Sequence, residues 1–110
     1  MESVLNSIKK LLGPSAADDH FNPDIIMHIN TVFMALKQIG VGPATGFSIE
    51  DELATWDEFV TDIEQYQAVK TYIYAKVKLA FDPPLSSTHI ASLEKIAAEC
   101  EWRLNVEAES

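Results

Sequence analysis

Residues 64–84 read EQYQAVKTYIYAKVKLAFDPP, and this stretch decides the fold. Tyr66, Val69, Ile73, Val77 and Ala80 recur at helical spacing along one side. Ala68, Tyr72, Ala75 and Leu79 line a second side. A helix with two apolar sides buries both, which puts it at the centre of its domain. Asp82-Pro83-Pro84 stops it, because proline cannot continue the hydrogen-bond ladder and the residue before it avoids helical geometry.

The sequence on either side is helical too. Upstream, Asn22-Pro23-Asp24 opens a helix that runs to about Ile39. Asn22 reads as its N-cap, Pro23 fits the first helical position, and Asp24 complements the helix dipole. Ile25, Ile29, Val32, Phe33, Leu36 and Ile39 share one face as its core stripe, and Gly40 is placed as its stop. Downstream, Ser86 or Ser87 caps a last helix that continues to about Asn105. Ile90, Leu93, Ile96, Ala97, Cys100 and Leu104 give it a narrow apolar face, and the tail VEAES reads as frayed.

Further out, Met1 to Leu12 carries Val4, Leu5, Ile8, Leu11 and Leu12 at helical spacing, ended by Gly13-Pro14. Ser15 to Phe21 is a polar connection. Gly40 to Ile49 holds three of the four glycines and reads as a loop. Within it, Phe47-Ser48-Ile49 alternates apolar and polar residues and suits a short strand. A brief helix is expected around Thr55 to Phe59, with Thr55 as N-cap and Glu58 at the third helical position. The expected fold is all-α: three long helices, shorter ones and one long loop, in a single domain over residues 1–110.

Composition narrows the function. The 110 residues are 47% hydrophobic and 23% charged, enough to fill a core without staples. A single cysteine, Cys100, excludes an internal disulfide and any zinc site built on several thiols. No apolar run approaches the roughly 20 residues that span a bilayer. The start MESVLNSIKKLLG lacks a signal-peptide layout, so a reducing cytosol is the expected place of synthesis. Eight basic against 17 acidic residues leave a net charge of −9. Tight phosphate-backbone binding draws on Lys and Arg, so this balance argues against it.

Catalytic constellations are weak. Asp24 and His28 stand four apart on a helix, a spacing that can place two metal ligands on one face, but no third ligand is evident. His20 lies beside Asp18-Asp19 in a loop, and His89 falls in the first turn of the last helix. Cys100 is most simply a small core residue. No GxSxG, P-loop or GxGxxG pattern occurs. Neither catalysis nor a cofactor is expected.

Two other features point to partners. Glu50, Asp51, Glu52, Asp57, Glu58, Asp62 and Glu64 form an acidic run with no Lys or Arg, and its spacing does not fit a calcium-binding loop. It reads as a solvated surface, or as one that meets a basic partner or lets DNA slide without sticking. Met27 and Met34 lie on the side of their helix away from Ile29 and Leu36. Trp102 stands among charged residues of the last helix, and Trp56 sits inside the acidic run. Methionine and tryptophan on polar faces are contact residues in many interfaces. Each can equally cover a loop or helix of its own chain.

The segments DIIMHINTVFMALKQIGVGP, FSIEDELATWDEF, AVKTYIYAKVKLAFDPP and EWRLN resemble the small head–tail connector, or adaptor, proteins of tailed bacteriophages and prophages of Gram-positive bacteria. The resemblance covers about Asp24 to Asn105 and is carried most specifically by AVKTYIY…FDPP and EWRLN. It implies a structural virion protein at the head–tail junction, assembled in the bacterial cytoplasm. Such proteins form a ring, commonly of about a dozen copies, beneath the portal protein. The ring extends the DNA channel and offers a platform to further connector or tail proteins. It needs no enzyme activity, cofactor or membrane. In that setting Met27 and Met34 would meet a neighbour's last helix around Trp102, and the acids from Glu50 to Glu64 would face the channel. The competing reading is an acidic regulatory protein, such as a DNA mimic that occupies a basic site in the bacterial cytosol.

Overall fold

The structure is a computed structural model describing residues 2–109. Its long elements are α1 (Val4–Leu12), α2 (Asn22–Gln38), α3 (Ile63–Phe81) and α4 (Ser87–Glu109). Single 3₁₀ turns at Pro14–Ala16, Asp19–Phe21 and Trp56–Glu58 fill the connections. The fold is all-α, a small helical bundle, and α3 packs against each of α1, α2 and α4. Tyr66, Val69, Ile73 and Val77 on one side and Tyr72 and Ala75 on the other are buried, so both apolar sides are covered. Ala80, at the end of its stripe, is exposed.

Contacts at the helix ends fix the chain directions. At one end the Phe21 and Phe81 rings meet edge-on at 5.6 Å, and the Ser15 hydroxyl donates to Asp82 at 2.7 Å. Asp82 also accepts from Lys78 at 2.8 Å, and these two bonds hold its carboxyl below the usual carboxylate range. α2 therefore starts where α3 stops, and the two run antiparallel. The short connection after α3 turns α4 back alongside it. As a result, α2 and α4 run in the same direction. At the opposite end Gly40 sits against α4, where a β-carbon on it would stand 3.3 Å from Ala108 Cβ.

Gly40 stops α2 as expected. Its φ is +86°, its N–H donates to the Lys37 carbonyl at 3.0 Å, and the Val41 N–H reaches the Leu36 carbonyl at 2.9 Å. These are the paired bonds of a Schellman cap, with Val41 and Leu36 both buried beneath them. The other end of α2 departs from expectation. The 3₁₀ turn Asp19–Phe21 runs straight into the helix, so Asn22 already has helical angles of −54° and −45° and is not the cap. Asp18 caps that turn instead, accepting from the His20 N–H at 2.8 Å.

Two further expectations are corrected. Phe47-Ser48-Ile49 is not a strand. The Asn30 side chain takes the place of a partner strand, accepting from the Ile49 N–H at 2.8 Å and donating to the Ile49 carbonyl at 2.9 Å. The tail is helical to Glu109 rather than frayed from Val106, because Ala108 packs on the Gly40 turn; Ser110 lies outside the described residues.

Candidate assembly surfaces

The four singled-out apolar residues separate into two groups. Met27, Met34 and Trp102 are 57%, 63% and 67% exposed. Met27 and Met34 stand on the outer face of α2, one above the other with Thr31 between them. Trp102 stands on the outer face of α4, in line with exposed Ala98 and Val106. Trp56, by contrast, is fully buried and is no contact residue for a partner. Its indole N–H donates to the Ser7 hydroxyl of α1 at 2.7 Å, and its ring meets Tyr66 edge-on. The nearby backbone bond from Val4 N–H to the Ala54 carbonyl, 2.9 Å, draws α1 onto the 54–56 segment.

Beside Met34 lies a groove of ≈ 240 Å³ between α2 and the 46–48 segment. Phe33, Met34 and Phe47 give it apolar walls, and Asn30, Lys37, Gly46 and Ser48 complete it. The Phe33 ring packs on Phe47 and Phe59, with centroids 5.0 and 4.7 Å away. The 46–48 wall therefore rests on the core. The Asn30 bonds to Ile49 hold it from the other side. Sequence periodicity does not show this groove, because its apolar walls, Phe33 and Met34 against Phe47, are 14 and 13 positions apart and meet only through the loop between them.

The acidic run is exposed throughout, but several of its carboxylates already have local work. Asp62 caps α3 by accepting from the Glu64 and Gln65 N–H groups at 2.9 and 3.3 Å. Glu58 accepts from the Thr55 N–H at 2.7 Å, the return bond of a capping box, as the spacing predicts. Asp57 accepts from the Thr55 hydroxyl at 2.6 Å, which holds its carboxyl below the usual range. Asp51 accepts from the Leu53 N–H at 2.9 Å. Glu50 and Glu52 lie exposed in the preceding loop. Glu64 lines a groove between α3 and α4 together with Gln67, Thr71, Glu99, Cys100 and Arg103.

Cys100 sits between that second groove and the core, and no histidine lines the groove. Burial pushes the Cys100 thiol up, the opposite of what an activated thiolate needs. His20 and His89 are exposed, and His28 is half-buried. Among the described residues no three His, Cys, Asp or Glu side chains gather as metal ligands, so Asp24 and His28 have no third member near them. Among the described residues no helix is long and apolar enough to cross a membrane.

Fold and surface together define a small all-α bundle with apolar side chains uncovered on the outer faces of α2 and α4 and, elsewhere, at Leu53, Ile63 and Leu85. The family model for phage connector proteins matches residues 4–110, and the chain belongs to that family. Its role is that of a phage connector. No curated protein and no solved structure matches the chain.

Proposed function

We propose that this protein is a head–tail connector subunit that forms a ring, of about a dozen copies, under the portal of a tailed phage or prophage of Gram-positive bacteria. The ring extends the DNA channel and joins the head to further connector or tail proteins. It acts without catalysis or a cofactor. The observation that carries this reading is the uncovered apolar surface at Met27, Met34 and Trp102 in a chain of the connector family. A ring uses heterologous contacts, in which one face of a subunit meets a different face of the next. Met27 and Met34 on one copy and Trp102 on another supply two such faces.

The acids Glu50, Asp51, Glu52, Asp57, Glu58, Asp62 and Glu64 are assigned to the channel wall or to a basic partner. Carboxylates repel phosphate, so a wall of this kind passes DNA without binding it. The same excess of acid supports a second reading, a DNA mimic bound to a basic enzyme site. Four of the seven carboxylates cap or close local turns, which ties their positions to the fold rather than to a duplex-like array.

Electron microscopy of lysates from a phage or prophage deleted for this gene tests the proposal. Full heads lacking tails, with free tails beside them, are expected. Normal infectious particles would overturn it.

A further inference from the structure

We infer that Trp102 of one copy seats in the groove beside Met34 of the next, with α2 and the neighbour's α4 running in the same direction and Lys37 meeting the neighbour's Glu99. The inference rests on the ring reading above and names its contact. The groove, ≈ 240 Å³, falls below the range of about 300–1,000 Å³ typical of small-molecule pockets and is scaled to one side chain. Trp102 is the one exposed Phe, Tyr or Trp among the described residues.

Height and direction agree. Met34 lies six residues before Gly40, and Trp102 lies six before Ala108, the residue that packs on Gly40. Each side chain is thus about 9 Å from the same end of the molecule. Neighbours in a ring of about a dozen copies differ by a rotation of only about 30°, so helices codirectional within one copy stay nearly so between copies. A two-fold dimer places no such requirement on them.

Charge sets the register. Lys37 is in no ion pair among the described residues; its stem lies over Gly46 at the rim of the groove. Around Trp102 stand the exposed Glu94, Glu99 and Glu101 together with the exposed Lys95 and Arg103, and Glu99 is the carboxylate three positions before it. Lys37 follows Met34 by three positions, and Glu99 precedes Trp102 by three. In a codirectional pair centred on Met34 and Trp102, those positions fall on the same side of the seam, about 9 Å apart along it, a span the long Lys and Glu side chains reach across. If the helices ran oppositely, Asn105 would take the place of Glu99.

Crosslinking in purified particles tests this. In a Cys100→Ala background, Lys37→Cys with Glu99→Cys and a short bis-maleimide should give a ladder of multimers beyond the dimer. Either cysteine alone should give none. A ladder from Lys37→Cys with Asn105→Cys instead, dimers from a single cysteine, or no ladder from protein that is in the particle would each overturn the contact and leave the connector reading standing. Absence of the wild-type protein from particles would overturn both. If the cysteine variant does not enter particles, charge exchange decides. Lys37→Glu should cut infectious titre by about tenfold or more, and adding Glu99→Lys should restore it. Failure to restore would overturn the pairing.

Discussion

Ser7 is the buried polar side chain on which Trp56 depends. Its hydroxyl donates to the Val4 carbonyl at 3.1 Å and accepts from the indole N–H at 2.7 Å. Ser7→Ala strands that N–H inside the core, where an unmet donor costs about 1–3 kcal/mol. Trp56→Phe removes the donor itself and leaves Ser7 bonded within α1. The double variant is therefore expected to be less destabilised than the sum of the singles, read from denaturant midpoints. A strictly additive result would mean that the bond contributes nothing. The same pair explains why Trp56 was unreadable in sequence. Half of its neighbours in DELATWDEF are acidic, which suggests a surface, while its partner lies 49 positions away. Met27, Met34 and Trp102 were legible because helical periodicity alone places them off the core faces. Their exposure follows from that placement.

At the scale of elements, the local signals that start and end helices were legible, and what needed a partner from elsewhere in the chain was not. Gly40 and Asp82-Pro83-Pro84 stop α2 and α3 through local backbone rules that need no tertiary partner. The start of α2 at Asn22 was legible, but its cap was misread because a 3₁₀ turn feeds the helix, and Phe47–Ile49 was misread because a side chain replaces the expected strand partner. That replacement makes a prediction. Asn30 satisfies both the N–H and the carbonyl of Ile49, so Asn30→Ala releases the 46–49 segment at a cost of about 1–3 kcal/mol. Amide exchange should quicken at Ile49 and its neighbours while α3 keeps its protection. Phe47, a wall of the Met34 groove, moves with that segment, so assembly should weaken beyond the loss of stability. Unchanged exchange at Ile49 would show that the clamp does not hold the loop.

At the scale of the whole molecule, charge separates the two readings by the sign of one salt effect. Each copy carries −9 at pH 7 on a body of 38 × 33 × 20 Å, so packing copies side by side brings like charge together. Salt shortens the screening length from about 8 Å at 0.15 M to about 3 Å at 1 M and relieves that repulsion. The contact between Trp102 and the Met34 groove is apolar and does not weaken with added salt. The exposed Lys37–Glu99 pair does weaken, but such pairs contribute only about 0–1 kcal/mol each. The repulsion between whole molecules dominates, and self-association should rise from low to high sodium chloride, as heavier species in sedimentation velocity. A DNA mimic works by the opposite balance: its carboxylates bind a basic site, and salt releases it. Self-association that falls as salt rises would therefore count against an apolar ring contact; the mimic reading requires instead that a complex with a basic partner come apart. A channel wall adds a second expectation from the same charge. Duplex DNA, itself polyanionic, should leave the sedimentation profile unchanged even at low salt, where any attraction would be strongest.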